Sequence, residues 1–132
     1  VGVLLVAVLT VGLFAITPTK AQSPVLTKSM TLKTLSPKQY AKVLVMEKWE
    51  SKAEFTCLAR LWGKESAWNY KAKSPTNDYG IPQRNMPRAT KAQIAKFLAN
   101  HTVQIDWGVG YIKHRYGSPC EAWKFWERRN WY

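Results

Sequence analysis

Glu65 continues an apolar rhythm. Ahead of it Phe55, Leu58 and Trp62 recur three and four residues apart, and the next step of that spacing falls on Glu65. An acid belonging to a solvated helix face would not land there. Set against Leu58 and Trp62, a carboxyl group loses hydration of its charged form, so its pKa should rise. A carboxyl that keeps its proton near neutral pH is equipped to act as a general acid. The plainer alternative is a helix-end glutamate that reaches out to water, because Asn69 and a loop-like stretch follow closely. The helix pattern alone leaves both readings open.

Other reactive side chains are few. The 132 residues include two Cys and two His, which excludes a four-cysteine zinc site within the chain. A mixed site would need Cys57, His101, His114 and Cys120 together, and these lack the close-spaced pairs such sites use. No metal is therefore expected, and His101 and His114 read as solvated. No glycine-rich phosphate loop is present, which disfavours the usual nucleotide chemistry. Lys and Arg number 20 against 8 Asp and Glu, for a formal charge of +12, and there are 7 Trp, 6 Tyr and 4 Phe. Such a chain can bury a core as one domain and is suited to an anionic partner.

Residues 1–17 carry no charge and are almost entirely apolar. As a helix they would extend about 25 Å, slightly short of a bilayer core. Thr19 and Ala21 are small residues at the spacing a signal peptidase reads. Residues 1–21 are thus expected to be a cleaved signal peptide or a retained membrane anchor. A buried core helix fits less well, since the segment has no polar face. Export to an oxidising compartment makes Cys57 and Cys120 a candidate disulfide. Its loop would stabilise by about 4 kcal/mol on the chain-entropy account. A catalytic thiol at Cys120 is the alternative, but neither His is placed by sequence to activate it.

The elements that must position Glu65 are helical. Residues 22–35 are rich in Thr, Ser and Lys without helical period and read as a linker. Ser36-Pro37 predicts an N-cap and first helical residue, opening a helix to about Trp49. Ser51 and Glu54 predict a capping box for the next helix, to about Ser66. The loop-like stretch from Trp68 to Pro87 follows. Thr90 and Gln93 predict a second box, for a helix to about Leu98. Asn100 or Thr102 caps a longer helix ending at Tyr116, with Gly117 as its stop. The aromatic tail from Glu121 predicts one more short helix. No sustained strand alternation is present, so the expected class is mainly α, with the domain spanning 36–132.

Three groups of residues, taken together, carry a resemblance. They are Glu65-Ser66-x-Trp68-Asn69, then Asn77-Asp78-Tyr79-Gly80-Ile81-Pro82-Gln83, then Gln104-Ile105-x-Trp107-Gly108-x-Gly110-Tyr111-Ile112. The chain from about Ser51 to Tyr132 resembles the lysozyme-like lytic transglycosylases, which are related to goose-type lysozymes. It is most similar to the small secreted transglycosylase-like domains of actinobacteria and their phages. In that family the Glu of a helix-ending Glu-Ser pair is the catalytic acid, which corresponds here to Glu65, with Ser66 beside it. The family's cleft-lining Gly-Leu-Met-Gln turn corresponds to Gly80-Ile81-Pro82-Gln83, and its later Gly and Tyr to Gly108 and Tyr111. Its Ala-Tyr-Asn segment corresponds to Ala122-Trp123, with Lys124 in place of Asn.

The resemblance implies cleavage of peptidoglycan between N-acetylmuramic acid and N-acetylglucosamine, by one carboxyl group and no cofactor. Tyr79, Tyr111 and Trp123 would offer flat faces to sugar rings, and Gln83 would bond N-acetyl groups. A hydrolytic lysozyme normally needs a second acid; Asp78 is the candidate, although an Asp there also reads as a turn residue bonding its own backbone. The expected protein is a monomer, secreted or held at the cell envelope, meeting a membrane only through an uncleaved N-terminal segment. Two rivals stand beside it. One is a wall-binding domain without turnover. The other is a binder of nucleic acid or another anionic surface, which an export segment and the lack of a known binding motif disfavour.

Overall fold

The computed structural model describes residue 28 and residues 31–132. The expected signal or anchor segment 1–21, and most of the expected linker, lie outside the described residues. Among the described residues, no helix is long and apolar enough to cross a membrane. The linker reading needs correction at its end: 31–34 is helical, and Leu32 and Leu35 pack against the core. Two leucines three apart are enough to dock one turn, a signal the surrounding Thr and Lys obscured.

The chain is mainly α-helical. Helix α1 spans Pro37–Trp49, and Ser36 and Gln39 form the reciprocal cap expected of them. Helix α2 spans Lys52–Ser66. Its cap is only half the expected box: Ser51 accepts from the Glu54 N–H, but the Glu54 carboxylate accepts from the Cys120 N–H at 2.7 Å instead. A two-residue hairpin follows, β1 at Asp78–Tyr79 antiparallel to β2 at Arg84–Asn85, pairing Asp78 with Asn85 and Tyr79 with Arg84. Helix α3 spans Lys91–Leu98 with the full Thr90–Gln93 box. Asn100 is the cap of α4, His101–Tyr116, which stops at Gly117 with φ 85°. Helix α5, Pro119–Arg129, starts earlier than the tail reading placed it, with Ser118 as cap and Pro119 in its first turn.

The core lies between α1, α2 and α4. Tyr40, Ala41 and Val45 meet Leu58, Leu61 and Trp62 from α2 and Ile105, Val109 and Ile112 from α4. The last six repeat at three and four, which is the spacing of one helix face. Each buried Leu or Ile contributes about 1.5–3 kcal/mol. Gly108 allows the closest approach: a Cβ there would stand 2.6 Å from the Trp62 ring and 2.9 Å from Pro82 Cβ. Two polar ties fix α1 to α4. Tyr40 donates to Asp106 at 2.8 Å, and the Trp49 indole donates to the Gly117 carbonyl at 2.9 Å.

Cys57 and Cys120 form the expected disulfide, with Cα atoms 4.9 Å apart. The bond joins the second turn of α2 to the first turn of α5. From it Glu65 lies eight residues onward and Trp126 six. At 1.5 Å per residue these are about 12 and 9 Å, so two helices leaving the bond together bring the positions within about 3 Å of the same height, a gap that the long Trp126 and Glu65 side chains span.

Candidate active site

Glu65 sits in the last turn of α2, half-buried. Burial raises its pKa above 4.5; an indole N–H from Trp126 opposes that, and the charge of Asp78 adds to it. Burial dominates, so the carboxyl is biased toward its protonated form. Trp126 Nε1 donates to Glu65 Oε1 at 2.6 Å. A neutral carboxyl has one acceptor oxygen and one hydroxyl. The carbonyl oxygen is the better acceptor, so the indole contact on Oε1 favours the proton on Oε2. Trp126 is itself stacked on Trp123, with planes 7° apart and centroids 5.4 Å apart.

Beyond Glu65 the chain turns sharply. Ala67 and Trp68 both adopt left-handed backbone, with φ 52° and 62°, although neither is glycine. The Trp68 ring meets the Trp62 ring edge-on at 5.3 Å and donates to the Ala59 carbonyl, which closes the end of the helix over the core.

The Gly80–Gln83 turn is held against this end from three sides. Ser66 Oγ donates to the Ile81 carbonyl at 2.8 Å. Gln104, fully buried on α4, accepts from the Ile81 N–H at 2.9 Å and donates to the Tyr70 and Phe97 carbonyls. Tyr132 donates to the Pro82 carbonyl at 2.8 Å while accepting from the Trp62 indole at 2.8 Å. Burial drives the Tyr132 hydroxyl well above 10, partly offset by the Trp62 N–H, so it stays neutral. Gly80, with φ 74°, has no room for a side chain because a Cβ would enter the Gln104 amide.

The expected site residues are placed as follows. Ser66 lies beside Glu65, but its hydroxyl is engaged with the Ile81 carbonyl. Gln83 closes the turn by donating from Nε2 to the Gly80 carbonyl at 2.9 Å and holds φ 51°. Tyr79 is half-buried in β1. Tyr111 has one face stacked on Trp107, with planes 15° apart, and meets Tyr132 edge-on. Trp123 reaches the acid only through Trp126, and it borders a cleft of about 480 Å³ lined also by Ala59, Arg60, Gly63 and Lys64.

Asp78 is bonded within its own loop. Ser74 donates to Oδ2 at 2.7 Å, Thr76 donates to the same oxygen, and Asn85 donates to Oδ1 at 2.8 Å. Burial would raise its pKa, but the bonds from Thr76, Ser74 and Asn85 outweigh that and hold it below 3.8. Asp78 is an ionised hinge of the hairpin.

Two contributors, Trp126 and Tyr132, have no place in the sequence motifs, and Gln104 stands in the third group of the resemblance without an assigned role. Trp126 belongs to the aromatic tail; its distance from Cys120, set against that of Glu65 from Cys57, is the signal that pairs them. Gln104 gave a weaker one, a polar residue within the buried stripe of Ile105, Gly108 and Ile112. No comparable signal marks Tyr132. Among the described residues, no three of His, Cys, Asp and Glu gather as a metal site. His101 instead contacts the Leu35 carbonyl and the Tyr70 ring. Comparison with models of protein families, with curated proteins and with solved structures returned no match.

Proposed function

We propose that the chain is a peptidoglycan lytic transglycosylase with a lysozyme-like domain over 36–132, exported and working as a monomer on glycan strands. The observation that carries the reading is the half-buried Glu65 carboxyl, whose pKa burial raises and whose Oε1 is bonded by Trp126, next to Ser66, which donates to the Ile81 carbonyl of the Gly80–Gln83 turn. Glu65 gives its proton to the glycosidic oxygen between N-acetylmuramic acid and N-acetylglucosamine as that bond breaks through an oxocarbenium-like state. The muramoyl C6 hydroxyl then attacks the anomeric carbon, and its proton returns to Glu65. One C–O bond breaks, one forms, and no water is consumed. The products are a 1,6-anhydro end and a free 4-hydroxyl.

This route needs one carboxyl group, which is why the bonding of Asp78 matters. A hydrolytic lysozyme would need a second acid to activate water or form a covalent bond. Asp78 has both oxygens engaged by Ser74, Thr76 and Asn85, which favours transglycosylation over hydrolysis. The positive surface raises the encounter rate with an anionic wall polymer and makes it sensitive to salt.

The test is the mass of muropeptides released from purified sacculi. Products one water lighter than hydrolytic ones support the proposal. Ordinary reducing ends would establish a lysozyme, and binding without release would establish a wall-binding domain.

A further inference from the structure

We propose that the groove between the hairpin and helices α3 and α4 binds the short acidic stem peptide that hangs from the glycan strand. The identity of the occupant rests on the glycan-cleaving reading of Glu65; the shape and charge of the groove do not. The groove encloses about 810 Å³, within the range of small-ligand pockets. Met86, Phe97 and Val103 give it apolar surface, and Val103 is 47% exposed although it is aliphatic. Arg84, Arg88 and Lys96 give it charge, and no Asp or Glu lines it.

Arg84 is held in place. Its guanidinium lies 5.3 Å from the Phe97 ring centroid and 4.9 Å from that of Trp107. Two aromatic contacts orient a planar cation while leaving its edge N–H groups to bond elsewhere. Among the described residues the ion pairs are Lys28–Glu47 and Lys124–Glu121, so none of the three groove cations is paired with a carboxylate. A carboxylate matches the donors of Arg84 in the two-bond geometry that guanidinium favours. A short peptide that carries carboxylates beside an alanine methyl group matches both the cations and the apolar surface.

The groove also lies where such a peptide would fall. Ile81 is bonded to Ser66, the neighbour of Glu65, and Arg84 is three residues farther, at most about 11 Å of chain. Gln83 belongs to the turn and Arg84 to the groove. A peptide attached to a sugar seated at Glu65 would thus be within reach of the groove.

The test is an NMR titration of the intact chain, made catalytically silent by Glu65→Gln, with the free stem tripeptide L-alanyl-D-isoglutamyl-diaminopimelate. The expected result is saturable shifts at Phe97, Val103 and the Trp107 indole. Arg88→Glu combined with Lys96→Glu, both at exposed positions, should weaken binding at least tenfold. Three results would each overturn the proposal: no shifts at millimolar peptide, equal binding of a peptide with its carboxylates amidated, or shifts produced only by phosphatidylglycerol vesicles. Release from sacculi by the unmutated chain is measured in parallel. Failure there removes the catalytic reading of Glu65 and leaves the titration to decide the groove.

Discussion

The Trp126 indole donates to Glu65 Oε1 at 2.6 Å, joining the last turn of α2 to the later part of α5. The contact does two things at once. As a donor it favours the ionised carboxylate, against the burial that favours the neutral one. As a geometric constraint it holds Oε1 and favours the proton on Oε2. In Trp126→Phe, burial and the Asp78 charge act unopposed, so Glu65 stays protonated to higher pH. The alkaline limb of the rate profile should move upward, while the maximal rate falls about tenfold to a hundredfold because the carboxyl is no longer held in one orientation. Rates on sacculi across a pH series check both. An unmoved limb with an unchanged rate would reduce Trp126 to packing.

Glu65 should also cost the fold stability. Its folded pKa lies above 4.5, so the folded state holds this proton more tightly than the unfolded chain does. Stability therefore declines as pH rises from 4.5 through the folded value. Glu65→Gln keeps the shape without the titration. Thermal unfolding should show the variant melting above the parent at pH 8, with the two converging below pH 4.5.

Asp78 has the opposite sign. Its folded pKa lies below 3.8, so its contribution is present above that value and is lost as pH falls through the folded one. Asp78→Asn sets an amide against the Asn85 amide and should destabilise the chain by about 1–3 kcal/mol at pH 7. The chemistry should survive: below its melting temperature the variant should still release anhydro ends. Loss of release with the hairpin intact would make Asp78 a second acid.

Gly108 is where α4 comes nearest to Trp62. In Gly108→Ala the new methyl group meets the Trp62 ring and Pro82 Cβ, neither of which can withdraw cheaply. Denaturant unfolding should report a loss of about 1–3 kcal/mol, the usual cost of overpacking. The Pro82–Gln83 turn lies against the same ring, so glycan release should fall as well.

Most of the helical framework was legible because local chemistry writes it. Ser36-Pro37, Thr90 with Gln93, and Gly117 each act within a few residues, and each stands where its residue type predicts. The stripe of Leu58 and Trp62 likewise put Glu65 against the core. What local chemistry does not hold is which distant element covers an exposed edge. The Glu54 carboxylate could have bonded its own helix end but took the Cys120 N–H, 66 residues away. Trp126 is one of several tail aromatics, and only the disulfide that sets α5 beside α2 brings it to Glu65. Residues 31–34 are helical because Leu32 and Leu35 find the core, which their polar neighbours do not announce.

The most direct measurement is the rate of soluble muropeptide release from purified sacculi by the parent chain and by Glu65→Gln. Both are taken at a pH where the parent is folded and active. The account predicts steady release by the parent and a loss of at least about a hundredfold in the variant, the scale of a general acid removed from a folded site. Equal release by the two proteins would contradict it, because the proton would then come from somewhere other than Glu65.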